Sequence, residues 1–540
     1  MKRRWLLLTY ALTNAALYSM LLPLWEGFDE PFHFGYVQYL ANGKGFPDPR
    51  TTALSKEVGV SLLLAPASLS VQRNLPQVTS YPEFFGWPEP KRLGSHRRLS
   101  QIDPALRWQP SNILDYEALQ APLAYAILAL PERALAEMPL PFRVMLLRIM
   151  AGTLGGLLLF FGAERLLGQL GVPGEYKEIA IFCTFSCKMI WATLGHVAND
   201  WLAVPLALWL LIAAIHYQDG PSVRRALLAS GVLAMGLLTK AYFIAFIPLP
   251  ISVCILRRRW RDLGMALVLV SALAGPWYMR NLERYGTISG MQELRQGTNP
   301  MLALQDVHIA RVPVALDSYA RGALWTANNS FRSFSIKTLR AVIVTWLAAL
   351  VLWAATRHRR AEWMVILFSG LFVLALAYDA GINYVASHHE SASPGAWYTQ
   401  VLLVPLLSLG LLGTSRSGKA GRVVALLMVL LFGYILVATY WVKLMPLYGG
   451  FEGRTSLTAV TILYRQRLSR LMAGLSEICL VPAAVILCMA SLVGILVVGQ
   501  QVTLIWRLFV GRTSARQSAA CRRDSERPAD VSRRLFGAPL

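Results

Sequence analysis

An all-helical, polytopic membrane protein is predicted by three features of this 540-residue chain: charge is sparse, apolar runs are long, and basic residues collect in short connections. Hydrophobic residues make up 55% of the sequence and charged ones only 15%, where a soluble domain carries about a quarter charged. With a mean hydropathy of +0.46, the surplus of apolar side chains needs hydrocarbon as its solvent. The runs are continuously apolar and lack the alternation of barrel strands, so the spanning elements are expected to be helices.

Each crossing of a bilayer core about 30 Å thick takes about 20 residues. Runs of that order fall at about residues 5–24, 142–162, 178–195, 198–216, 224–240, 241–256, 262–280, 338–355, 361–378, 395–413, 421–444 and 476–507, about twelve in all. The first follows Met1-Lys2-Arg3-Arg4 and continues past Leu22 to Trp25 without a small-x-small cleavage site, which favours an uncleaved helix over a signal peptide. Gln120 to Leu130 is apolar but about half the spanning length, and reads as a juxtamembrane or re-entrant helix. One transmembrane domain is thus expected over about residues 1–510, followed by a basic tail, 511–540, whose Ser, Ala, Arg and Asp predict disorder. The six cysteines lie in predicted helices or that tail; Cys183 and Cys187 share a helix face without His nearby, and neither a disulfide nor a metal site is read from them.

Orientation follows from the basic connections, which are retained in the cytoplasm. Lys2 to Arg4, Arg224-Arg225, Arg257 to Arg261, Arg357 to Arg360, and Arg416 to Arg422 all fall on one side of these segments, together with the tail. Both termini are therefore expected in the cytoplasm. The opposite, extracytoplasmic side receives a first loop of about 25–141, a second of about 281–337, and shorter loops near 379–394 and 445–475. The net charge of +22 is accounted for by this pattern and by anionic lipid headgroups, and no nucleic-acid module is visible.

The first translocated residues run Trp25-Glu26-Gly27-Phe28-Asp29-Glu30-Pro31-Phe32-His33-Phe34-Gly35-Tyr36. Pro31 suits the first turn of a helix, Asn42-Gly43 a stop, and Phe32, Tyr36, Tyr39 and Leu40 give it an apolar side. Asp29 and Glu30 then stand at its positively polarised end, with His33 one turn away. Two readings stand: a general base held ionised by the helix dipole, or a pair that merely caps the helix.

This stretch resembles the first-loop motif of GT-C membrane glycosyltransferases, in the style of the protein O-mannosyltransferases and aminoarabinose transferases. Four further stretches follow in the order of that superfamily: Tyr116 to Tyr125, with Arg143 and Arg148 after it; Asn199-Asp200; Leu238-Thr239-Lys240; and Gly275 to Asn281 with Tyr285-Gly286. Ala121 and Ala124 depart from the usual His or Gln before Pro-Pro-Leu-Tyr-Tyr. The similarity spans about residues 5–410, and the charge-derived topology brings these motifs to one extracytoplasmic surface.

The resemblance implies an inverting transfer of a sugar from a polyprenyl-phosphate donor to an acceptor glycan, lipid or protein, with Asp29 or Glu30 as base; no cofactor is predicted. It implies substrate-binding roles for His33, Glu117, Asp200, Lys240, Arg280 and Tyr398, with Lys240 and Arg280 on the leaving phosphate. Bland readings stand beside these. Lys240 and Arg280 snorkel, Asn199 and Asp200 cap a helix, Glu117 caps a short one, and Tyr398 with Trp397 anchors an interface. His388, His389 and Glu390 suggest a divalent metal, but a solvated loop is the simpler reading, and no metal ligand is assigned. Lys188 is expected to face the helix bundle. The Pro- and aromatic-rich first loop, Tyr81 to Pro88 for example, reads as an acceptor-binding lid and not as core. The alternative from another class is a lipid or glycan transporter, against which stand the lack of an inverted repeat and the clustering of motifs at one surface.

Overall fold

The computed structural model describes residues 2–289, 312–325, 333–386, 395–450 and 457–509. Helix α1 (Lys2–Leu21) leads into a loop region that is itself folded. It contains α2 (Glu30–Ala41), β1 (Ala53–Ser55), α3 (Lys56–Leu64), α4 (Leu69–Asn74), α5 (Tyr81–Gly86), α6 (Glu89–Ser100), β2 (Pro110–Leu114) and α7 (Leu123–Ala134). The bundle continues through α8 (Leu140–Gln169), α9 (Gly174–Ser186), α10 (Lys188–Leu194), α11 (Asp200–Asp219), α12 (Val223–Leu237), α13 (Pro248–Leu256) and α14 (Trp260–Tyr285). After α15 (Val312–Gly322) come α16 (Ile336–Ala354), α17 (Arg360–Ala386), α18 (Gln400–Arg416), α19 (Gly418–Ala438), α20 (Met445–Tyr448), α21 (Leu457–Gln466), α22 (Leu468–Ile478) and α23 (Ala483–Phe509).

Every expected apolar segment is helical, but not every one is a single spanning helix. Eight helices among the described residues are long and apolar enough to cross a membrane. The other four segments are α1, which opens on three basic residues; the broken pair α9 and α10; the 15-residue α12; and a 3-10 turn, Ala241–Phe246, running into α13. The breaks have a local cause. Cys187 between α9 and α10 and Lys240 after α12 are in extended conformation, and both are buried in protein, where irregular backbone is tolerated at membrane depth. Val268, Val344, Leu374 and Ile495 are exposed on α14, α16, α17 and α23, as lipid-facing positions should be.

The basic connections meet at one end of the bundle. Arg4 Nε donates to Glu164 at 2.9 Å, Arg507 pairs with Glu178, Arg416 holds Glu362 at 2.7 Å, and Arg257 reaches the carbonyl of Gln218 at 3.1 Å. At the other end the folded loop region packs on α8 and, through Arg92 and Glu477 at 2.8 Å, on α22.

The loop region is where expectation and structure part. Tyr81 and Phe85, read as part of a lid outside the core, are buried: the Tyr81 hydroxyl donates to the carbonyl of Leu24 at 2.9 Å, and Phe85 meets the ring of Tyr448 at 6.0 Å. The physical reason is that the loop has a core of its own. β1 and β2 pair antiparallel, α3 packs beside them, and a buried charge cluster ties the layer to α8. In that cluster Arg143 pairs with both Glu57 and Glu132, Arg107 lies 3.4 Å from Glu132, and Gln38 donates to Glu57 at 2.7 Å. The half-length apolar stretch becomes α7, 12 residues long and too short to span.

Candidate active site

The chain turns from α1 into α2 through Trp25, whose backbone is left-handed at φ 63° and whose indole Nε1 donates to Ser61 Oγ at 3.0 Å. A non-glycine residue there is strained, and a buried ring and its hydrogen bond hold it in place. Two residues on, Gly27 is required by a close approach: a Cβ would stand 2.8 Å from the Cβ of His196. The turn thus delivers Asp29 and Glu30 to the head of α2 against the segment that precedes α11.

The two carboxylates have different surroundings. Glu30 is fully buried; it takes Arg148 Nε at 2.7 Å and Arg148 Nη2 on its second oxygen, and accepts the backbone N–H of Val197 at 3.0 Å. Arg148 also donates to the carbonyls of Leu22 and Pro23, both at 2.9 Å. Burial alone would raise the Glu30 pKa, but Arg148 outweighs it and holds the carboxyl below its ordinary value. Asp29 is only partly buried and occupies the N-cap position of α2, yet its side chain makes no capping hydrogen bond. The Tyr116 hydroxyl donates to it instead.

Around Asp29 the motif residues converge. Phe32 lies against the ring of Tyr116 at 4.1 Å, and Asn74 Nδ2 donates to the Tyr116 oxygen at 3.2 Å. His33 Nδ1 is 2.7 Å from the Tyr125 hydroxyl and 3.7 Å from Glu117. Glu117 accepts from Gln120 at 2.9 Å, and Gln120 in turn accepts from Asn199 at 2.9 Å. Asn199 holds the N-cap position of α11 but does not cap it; its amide is spent on Gln120 and the Thr239 carbonyl.

Lys240 does not snorkel. Its Nζ is buried, 2.6 Å from Asp200, and stands over the ring of Tyr398 at 4.5 Å. The neighbouring Trp397 stacks on Phe28 at 4.2 Å. His33 ties the two halves electrostatically: burial pulls its pKa down to about 4, and the charges of Asp29, Lys240, Asp200 and Glu30 all act on it. Asp29, His33, Glu117, Asp200, Lys240 and Tyr398 therefore belong to one site. Arg280 lies further out, donating to the Pro47 carbonyl at 2.9 Å and lying over Trp277 at 4.9 Å, but its charge reaches Tyr36, whose ring stacks on that of Tyr125 at 4.2 Å.

Three participants were not singled out from sequence. Tyr116 and Arg148 appeared only as letters of a motif, without a role. His196 had no motif at all; it is buried, its Nδ1 has no hydrogen-bond partner among the described residues, and burial pulls its pKa to about 4. The only hint was a His three residues ahead of Asn199-Asp200 in apolar surroundings. Lys188 faces inward as expected, over the ring of Trp325 at 4.5 Å. Among the described residues no group of three or more His, Cys, Asp or Glu is arranged to hold a metal ion. His388, His389 and Glu390 lie outside the described residues.

An apolar cavity of about 420 Å³ runs between α15, α16, α17 and α18, and Thr399, next to Tyr398, is part of its wall. Fold and site together define a polytopic, all-helical membrane protein with a buried acid–base cluster at the end of the bundle opposite its basic turns. Neither a family model nor a curated protein matches the sequence. Among solved structures the chain is similar to that of ArnT from Cupriavidus metallidurans bound to undecaprenyl phosphate, at 13% identity and a TM-score of 0.42, over 88% of this chain and 80% of that one. The likeness is one of outline.

Proposed function

We propose that the protein is an inverting glycosyltransferase that takes a sugar from a polyprenyl-phosphate donor, with its site on the extracytoplasmic face. The observation that carries this reading is the state of Asp29: a carboxylate at a helix N-cap that does not cap, is partly accessible, and is aligned by Tyr116. A carboxylate so placed serves as general base.

In the proposed step Asp29 takes the proton of the acceptor hydroxyl as its oxygen attacks the anomeric carbon, and the bond from that carbon to the phosphate oxygen breaks. The lipid phosphate leaves with the bonding pair. Lys240 has three N–H donors, of which Asp200 engages one, so the ammonium is held in place with donors left for the departing phosphate. The apolar cavity beside Thr399 suits the first prenyl units of the donor. Tyr398 covers the sugar, and His33 and Glu117 position it. Glu30 positions the turn through Arg148 and does not accept the proton. Arg280 is assigned to the rim of the site and to donor headgroup contact there.

The test is transfer of radiolabelled sugar from a panel of polyprenyl-phosphate sugars in proteoliposomes. Asp29→Asn should lower turnover by about 10²–10⁴-fold in protein that still folds. Turnover unaffected by that change would remove Asp29 as base, and no transfer from any donor would remove the enzymatic reading.

A further inference from the structure

The loop region holds a second cavity that the step above leaves without a role. It is an open cleft of about 1150 Å³ whose lining, among the described residues, comes from those between Phe32 and Tyr116, with no spanning helix contributing. Tyr116 is the link: the same side chain that lines the cleft donates to Asp29, so the cleft adjoins the proposed base.

Its chemistry is specific. Asn74, Gln77, Ser111 and Asn112 present amides and a hydroxyl, groups that donate and accept at once. Tyr116 gives a half-buried aromatic ring, backed by the buried ring of Phe32 at 4.1 Å, and Val60 and Leu63 add exposed aliphatic surface. Among the described residues the lining has one cation, Lys56, which is engaged with Gln109 at 3.0 Å, and no carboxylate. Paired donor–acceptor groups beside aromatic and aliphatic faces match a sugar, whose hydroxyls both donate and accept and whose C–H faces are apolar. A peptide strand is less well served: β2, the strand in the wall, begins with Pro110, which has no N–H to offer it. The volume exceeds that of most small-molecule pockets, about 300–1,000 Å³, as several sugar units require.

We infer that this cleft is the acceptor site and that the acceptor is a carbohydrate, uncharged or weakly acidic, whose reactive hydroxyl is presented to Asp29 beside Tyr116. The inference rests on the glycosyl-transfer reading and adds the class of acceptor to it.

The experiment uses the full-length chain in nanodiscs. Saturation-transfer NMR is recorded with chitotetraose, maltotetraose and cellotetraose, and with a Ser/Thr-rich octapeptide, on the unaltered protein and on Asn112→Trp, which fills the cleft from an exposed position. At least one oligosaccharide is expected to show saturation transfer that falls about 10-fold or more in Asn112→Trp, the loss of roughly one good hydrogen bond and the space for the ring. Asn112→Ala and Gln77→Ala should give smaller losses. The two readings fail separately. Oligosaccharide binding in the cleft without any sugar transfer upholds the cleft and removes the catalytic reading. Transfer whose acceptor KM is unchanged in Asn112→Trp removes the cleft and leaves the catalysis. An acceptor KM and a donor KM that rise together, binding equal in both proteins, binding of the peptide alone, or binding of none of the four overturns the inference.

Discussion

Glu30 and Arg148 are joined by two parallel hydrogen bonds in a pocket closed to solvent, and the same arginine ties down the carbonyls of Leu22 and Pro23. This pair fixes the exit of α1 to the entry of α2, which is the turn that presents Asp29. In the proposed mechanism the adjacent acidic residues divide the work, Glu30 holding geometry and Asp29 facing the reaction. Glu30→Gln leaves a buried guanidinium without its counter-charge, and removal of one partner of such a pair costs about 3–5 kcal/mol. Its expected signature is a large fall in melting temperature with loss of activity in proportion to unfolding, while Asp29→Asn loses turnover at an almost unchanged melting temperature. Equal melting temperatures for the two variants would contradict this division.

The Lys240–Asp200 pair gives a separable test. Lys240→Gln alone leaves Asp200 buried without its 2.6 Å partner and mixes a stability effect with a catalytic one. Asp200→Asn with Lys240→Gln replaces both charges by amides and should recover most of the lost stability. Transfer should stay low, by about 10²-fold, because the positive charge proposed to meet the leaving phosphate is missing. If the double variant recovers turnover along with its melting temperature, Lys240 acts on structure alone.

The two buried histidines set an acid limit on stability. His33 and His196 have folded-state pKa values of about 4, below the ordinary 6.5, because burial disfavours the imidazolium. Above 6.5 both folded and unfolded forms are neutral and the full stability is present. As pH falls from 6.5 to 4 the unfolded chain takes up protons that the folded one refuses, and stability is lost across that window. The Glu30 pair moves later: with its carboxyl held below 4.5, its contribution is complete above 4.5 and is lost only as pH falls through the lowered value. Glu132, whose carboxyl burial raises to about 7, and Asp115, raised well above its ordinary value by burial, act in the opposite sense, because the folded state takes up their protons first as pH falls. The histidine contribution is therefore read as a difference: from pH 7 to pH 4.5 the melting temperature of His196→Asn should fall less, or rise more, than that of the unaltered protein. Profiles that run parallel in the two proteins over this range would refute the neutral assignment of His196.

Arg143 binds the loop region to the bundle through Glu57 and Glu132. Arg143→Met leaves two buried carboxylates near Arg107 alone and is expected to release residues 42–120 before the bundle melts, at a cost of about 3–5 kcal/mol. Limited proteolysis in nanodiscs should cut the variant first within that stretch. Cutting confined to other connections would show that the cluster does not hold the layer.

What was legible from sequence follows the reach of each physical signal. Apolar runs and caps are local, so the spans, the short α7, and α2 with Pro31 at its start and Asn42 as its C-cap emerged from the letters. The breaks at Cys187 and Lys240 did not, because an apolar stretch looks the same whether the helix continues or opens. The loop region was misjudged for a related reason: Pro-rich, aromatic-rich sequence has no periodicity to mark it as core, and its burial depends on the Arg143 cluster that unites residues 86 positions apart. Through the resemblance they carry, residue types and their order made Asp29, His33, Asp200 and Lys240 candidates, and the structure brings these together; their pairing was not legible. Nothing in sequence joins Lys240 to Asp200 or Arg148 to Glu30, and so the two adjacent carboxylates were indistinguishable until their partners were visible.

The remaining prediction concerns sidedness. The basic turns meet at one end of the bundle, and the loop region, with Asp29, lies at the other. Since short basic connections stay in the cytoplasm, the loop region should face the opposite compartment. Single cysteines introduced at exposed Arg98 and exposed Arg224, in a chain whose six native cysteines are replaced, report the two ends. A membrane-impermeant maleimide added to intact cells, with any outer membrane permeabilised, should label Arg98→Cys and spare Arg224→Cys, and inverted vesicles should reverse the result. Labelling of Arg224→Cys from outside would turn the protein over in the membrane. The proposed donor headgroup and acceptor would then have to be cytoplasmic, and the reading of the basic residues as topological signals would fall with it.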